Sequence, residues 1–122
     1  MRELPRDVEV EIIFLPAEAG GRQGPAFSGY RPQFYYSGHD WDAIQTYPDA
    51  ERVNPGDTVR AYLTFMSPEM HVGKIFAGTM FLLREGHKTV GYGRVTQVLE
   101  LEHSAQRIRE EAGRPYTARY FS

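Results

Sequence analysis

His39, Asp40 and Asp42, in the run G-H-D-W-D, form the tightest cluster of side chains able to do acid–base work. A histidine beside two carboxylates has the groups to move a proton. A small enzyme built on His39, Asp40 and Asp42 is therefore one reading of the chain. Neighbouring positions of a strand point to opposite faces, which separates His39 from Asp40 if the run is extended. The other histidines, His71, His87 and His103, are scattered without ligand spacing, and no metal site is expected. Cysteine is absent, which excludes disulfides, thiolate metal sites and a cysteine nucleophile. Ser28 lies in F-S-G-Y, which is not a nucleophile elbow. No G-x-x-x-x-G-K-[S/T] loop occurs, so this chain alone is expected to bind and hydrolyse no nucleotide. No catalytic residue and no cofactor is assigned.

The bulk properties point away from several classes. The chain has 122 residues, 41% of them hydrophobic and 25% charged, which fits one soluble domain with one modest core. The formal net charge is −2, so the basic excess of a non-specific nucleic-acid binder is missing. The N-terminal run M-R-E-L-P-R-D carries charges where a signal peptide needs an apolar segment. Apolar runs are too short to span a bilayer, so no membrane partner is expected. With no cysteine, a cytoplasmic location is expected.

Strands must position whatever chemistry exists. Val8, Val10, Ile12 and Phe14 recur at period 2 and predict a first strand. Residues 16–32 are rich in Gly and Pro and predict a long loop. A second strand is predicted over 32–38, with Phe34 and Tyr36 inward and Arg31, Gln33 and Tyr35 sharing the outer face. A short strand is predicted near 50–53, then a type II turn at Pro55-Gly56. Residues 58–65 alternate again, with Val59, Ala61, Leu63 and Phe65 inward. Further strands are predicted over 74–83 and 89–100, joined by a tight turn at Glu85-Gly86-His87. Gly91 and Gly93 predict a bulge or sharp bend in the last strand. Tyr30, Tyr35, Tyr36, Tyr62 and Tyr92 read mainly as cross-strand packing. Short strands between Gly/Pro turns indicate a β-sandwich or a closed barrel. Beyond them, Ser104 predicts the cap of a short helix, with Gly113 as its stop and Pro115 just past it. A helix this short must dock to be stable. The last residues bring Tyr116, Tyr120 and Phe121 together with Arg114 and Arg119.

The motifs G-G-R-x-x-P-x-F (20–27), G-Y-R-P-Q-F-Y-Y (29–36), N-P-G-D (54–57) and R-E-G-x-x-T-V-G-x-G (84–93) occur in that order. Together they resemble the C-terminal β-barrel domain of translation elongation factor Tu, over about residues 8–101. The resemblance selects the barrel: an all-β, six-stranded antiparallel β-barrel over 1–101, followed by a short helix and tail over 102–122. It implies a non-catalytic binding module, since the factor's GTPase domain and middle barrel are not in this sequence. In the family this barrel grips the T-stem of aminoacyl-tRNA. Arg22, Arg31 and Gln33 match positions near the RNA, Glu85 and Gly86 match the turn against the T-stem, and Lys88 lies beside them. Guanidinium suits phosphate, and glycine allows close backbone approach. The alternative for Arg22 and Arg31 is to brace the long loop through Asp or Glu partners.

Two departures from the family pattern bear on the partner, and the first, which Lys88 and Arg94 could offset, weighs against RNA. Asp42 stands where the family has threonine, with Asp40 close by, and two carboxylates repel a phosphate backbone. The segment between Pro68 and Phe81 is a few residues longer than in the family; it either extends a hairpin, places Met70, His71 and Ile75 as candidates for a protein-contact patch, or, the plainer reading for each of them, fills core beside a solvated loop. Trp41, between two Asp residues, is a further interface candidate, or equally a tryptophan that closes one end of the barrel. The chain is thus read as a binding module for a tRNA or a protein, or for a second copy of itself. Its own start Met and extra tail suit an independent product better than a piece of a split factor.

Overall fold

A computed structural model describes residues 3–112. Its strands are β1 (Val8–Phe14), β2 (Ala26–Phe27), β3 (Gln33–Tyr36), β4 (His39–Thr46), β5 (Arg52–Val53), β6 (Thr58–Phe65), β7 (Met80–Glu85) and β8 (Lys88–Val98), followed by one helix, α1 (Leu101–Ala112). Six strands close into a barrel in the order β1-β6-β4-β3-β7-β8, all pairs antiparallel. β8 returns to β1, so the barrel has no open edge.

The predicted alternation positions the core. Val8, Val10, Ile12 and Phe14 of β1 are buried, as are Val59, Ala61, Leu63 and Phe65 of β6. Phe34 fills the centre of the barrel. Its ring stacks on Phe81 at 4.5 Å and meets Phe65 and Tyr36 edge-on at 5.2 and 5.4 Å. Such aromatic pairs add about 0.5–1.5 kcal/mol each beyond simple burial.

Gly91 and Gly93 stay in register with β1. The two bulges of β8 lie elsewhere: the pairing skips Val90, next to Gly91, against β7, and Thr96, beyond Arg94 and Val95, against β1. The glycines serve close approach instead. A Cβ on Gly93 would stand 2.3 Å from the Glu11 carbonyl oxygen and 2.7 Å from the Phe81 ring.

Two more elements differ from the sequence reading. Residues 74–79 form turns, not strand, and β7 begins only at Met80. A 3-10 turn at Pro68–Met70 and the following residues instead fold across one end of the barrel. There His71 and Ile75 are buried, at 0% and 2% exposure. The helix begins at Leu101, a turn earlier than a Ser104 cap requires. Ser104 lies inside it and its hydroxyl donates to Asp7 Oδ1 at 2.5 Å. Asp7 Oδ2 accepts the Phe65 N–H at 2.8 Å. This buried carboxylate joins β6 to α1, and Leu101 and Ala105 of the helix are themselves buried. The helix therefore docks on the barrel. Gly113, Pro115, Tyr116, Tyr120, Phe121, Arg114 and Arg119 lie outside the described residues. Among the described residues, no helix is long and apolar enough to cross a membrane.

Candidate macromolecule-binding surface

Two surfaces gather the residues singled out by sequence. The first is the turn end, where the long loop meets the β7–β8 hairpin. β2 pairs with β5, and the Gly29 N–H donates to the Gln45 carbonyl at 2.8 Å, which fixes the loop against β4. Tyr30 is thereby placed to donate its hydroxyl to Glu85 Oε2 at 2.5 Å. Arg22 forms an ion pair with the same carboxylate, lies over the Tyr30 ring at 4.4 Å, and donates to the Pro25 carbonyl at 3.3 Å. Burial, reinforced by Glu85, pushes the Tyr30 phenol well above its ordinary pKa and keeps it a neutral donor. Arg22, Tyr30 and Glu85 thus form an internal brace. Gly86, at φ 61°, opens the two-residue β7–β8 turn with no atom over it. Arg31 and Lys88 are exposed near this turn.

The second surface is the outer wall of β4, β3 and β7. Gln33 faces outward and its amide donates to Asp42 Oδ1 at 2.9 Å, across the β3–β4 pair. Arg84 donates to Asp40 Oδ2 at 3.4 Å, and its guanidinium lies 5.0 Å from the Tyr35 ring centre. Asp40 and Asp42 therefore share one face with Gln33 and Arg84. The His39 ring instead meets Trp41 at 6.4 Å. His39 and the two carboxylates are not gathered around a common cleft. Among the described residues, no three His, Asp or Glu side chains converge to hold a metal ion.

The structure divides the protein-contact candidates. His71 is enclosed by Tyr36, Trp41 and Phe65, with its Nδ1 2.6 Å from the Tyr36 hydroxyl. Burial, with a smaller effect of Lys74, lowers its pKa to about 4. His71 and Ile75 close the barrel from within and are not surface residues. Apolar shielding of the core determines this. Trp41 is half-buried against His71, at 4.6 Å between ring centres. Met70 remains exposed, as do Met66 and Phe76 around the same end.

Sequence reasoning missed the apolar wall beside them. Met80 and Leu82 point outward from β7 at 64% and 38% exposure. Leu82 pairs with Tyr92 on one side and Tyr35 on the other. The row Tyr35–Leu82–Tyr92 continues to Ile13 of β1. Tyr35, Met80, Leu82 and Tyr92 line a shallow groove of about 330 Å³. The available signal was M-F-L-L (80–83), where both phases of the alternation are apolar.

The family model described as "Elongation factor Tu C-terminal domain" matches residues 4–99. The chain belongs to this elongation factor Tu C-terminal domain family. The match covers the whole barrel and stops before α1. The closed six-stranded antiparallel architecture is what the resemblance implied, and the molecule is a barrel module of the elongation factor Tu type.

Proposed function

We propose that this chain is a non-catalytic binding module that engages another protein through the outer wall of β3, β7 and β8. One observation carries the reading: the contiguous apolar row of Tyr35, Leu82 and Tyr92 with Met80 beside it. Apolar patches of this kind on a small domain mark contact sites. Methionine suits such a surface because its side chain adapts to different partners. A cysteine-free member of this family fits a cytoplasmic setting. The test is affinity capture from the native cell, comparing the chain with its Leu82→Glu variant. Leu82 is partly exposed, so the variant is expected to fold normally while losing captured proteins. Equal capture by both would overturn the reading.

A second reading, binding of a tRNA-like stem, is favoured by Arg31 and Lys88 beside the open Gly86 turn. Against it, Arg22 is engaged by Glu85, and Gln33 lies beside the Asp42 carboxylate. An RNA-binding module would retain tRNA at low salt, lose it steeply as salt rises, and bind more weakly after Arg31→Ala. No retention at low salt removes this reading.

A further inference from the structure

Sulfur chemistry in this chain is confined to methionine. There is no cysteine, so the four thioethers are its only sulfur atoms. A hydroperoxide converts a thioether to a sulfoxide, which turns a flexible apolar side chain into a polar one. Exposure decides which thioether reacts first. Three of the four lie within the described residues. Met80 is 64% exposed, against 47% for Met66 and 44% for Met70.

The register explains why Met80 is so open. β3 pairs with β7 as far as Tyr35 and Leu82 and no further. Met80, two residues before Leu82 on the same outer face, stands past the end of that ladder. It still lines the apolar groove with Tyr35, Leu82 and Tyr92. Met66 instead lines the crevice between α1 and β4, and Met70 ends the 3-10 turn. Neither of them borders the groove.

On its other side Met80 has Arg94 of β8 as register partner, and Arg94 is also exposed. Residues paired in this way on one face have Cβ atoms about 4.5–5.5 Å apart. Arg94 Nε is 3.6 Å from Glu11 Oε1, the longest ion pair among the described residues. A thioether is a weak acceptor and offers this guanidinium little. A sulfoxide oxygen at the same place gives it a strong one.

We propose that Met80 is an oxidation site that controls the outer wall: a hydroperoxide converts it to the sulfoxide in the free chain, and the oxidised wall no longer takes its protein partner. This rests on the wall being a contact surface. In the reaction a sulfur lone pair attacks one peroxide oxygen and the O–O bond breaks. With hydrogen peroxide, the departing hydroxide takes the proton of the transferred oxygen and leaves as water. Sulfur loses two electrons and the peroxide gains them. Reduction by a dithiol returns the thioether, with water and a disulfide as the other products. Two effects then act in the same direction. The sulfoxide oxygen must lose its hydration when an apolar partner covers it. Seating that partner also disturbs the bond that Arg94 offers it.

The wild-type chain serves for the test. It is treated with hydrogen peroxide to partial oxidation, desalted, and mapped by peptide mass spectrometry. Met80 should form sulfoxide faster than Met66 and Met70. The partly oxidised chain is then mixed with lysate of the native cell, and gel filtration separates complexed from free chain. Because a polar oxygen buried without its partners is costly, Met80 sulfoxide should be at least about fivefold scarcer in the complexed fraction than in the free one. The sulfoxides of Met66 and Met70 should divide evenly. Even division of the Met80 sulfoxide, depletion of the other two instead, or slower oxidation of Met80 than of both would overturn the proposal. A Leu82→Glu chain run in parallel separates the two readings. If it forms complex as wild type does, or if wild type forms none, the wall is not the contact surface and both readings fall. If it loses the complex while Met80 sulfoxide divides evenly in wild type, the surface reading stands and only the oxidation site falls.

Discussion

Asp7 is fully buried, yet each of its carboxylate oxygens has a donor: Ser104 from the helix and the Phe65 N–H from β6. Burial raises its pKa despite these bonds. The native state therefore binds a proton more readily than the unfolded chain just above pH 3.8, and this group's contribution falls as pH rises through that window. Asp7→Asn retains an acceptor for Phe65 and offers a donor to the Ser104 oxygen. We expect it to match or exceed wild-type stability at neutral pH. Asp7→Ala leaves the Phe65 N–H unpaired and should cost about 1–3 kcal/mol. Urea unfolding followed by the single tryptophan, Trp41, measures both. His71 acts in the opposite sense. Its pKa is depressed to about 4, so the unfolded chain takes up a proton below pH 6.5 while the native one does not. Stability should drop between pH 6.5 and 4, by up to about 3 kcal/mol. Midpoints recorded across that interval should flatten in His71→Phe, which also loses the bond to Tyr36 and is weaker at pH 7.

Among the elements, β8 is the most constrained. Its Gly93 faces the β1 backbone and the Phe81 ring at distances no Cβ tolerates. Gly93→Ala should therefore destabilise the barrel by about 1–3 kcal/mol through forced displacement of strands. Gly91→Ala, whose nearest contact would be 3.0 Å, should be milder. Denaturant midpoints of the two variants test that order. β1 and β6 were legible in the sequence because their inward residues are apolar and most outward ones polar. β4 was not, because its inward positions include Ala43 and the buried polar Gln45, while Asp40 and Asp42 lie outside. Residues 74–79 misled in the other direction. Their apolar side chains suggest a strand, but Ile75 is drawn inward to close the barrel end, and Gly73 and Gly78 adopt positive φ. At the candidate site, the bracing of the loop by Arg22 was one of the two roles the sequence left open. The outward phase of β7 was hidden because Met80, Phe81, Leu82 and Leu83 are all apolar, and only the register decides which two face solvent.

At the scale of the molecule, closure sets the behaviour. The pairing of β1 with β8 joins residues as far apart as Val8 and Val98. Non-local pairing of this kind slows folding relative to helical proteins of similar size, into about the millisecond-to-second range. Stopped-flow refolding monitored by Trp41 should fall in that range, and microsecond refolding would contradict it. The same seam matters on the ribosome. β1 emerges first, but one of its two neighbours is the last strand to be made. Until β8 has cleared the exit tunnel, the inner faces of the earlier strands have no finished cylinder to enclose them. Until then the partial sheet of β1, β6, β4 and β3 can pair, and the seam that β8 closes stays open to solvent or to an outside partner.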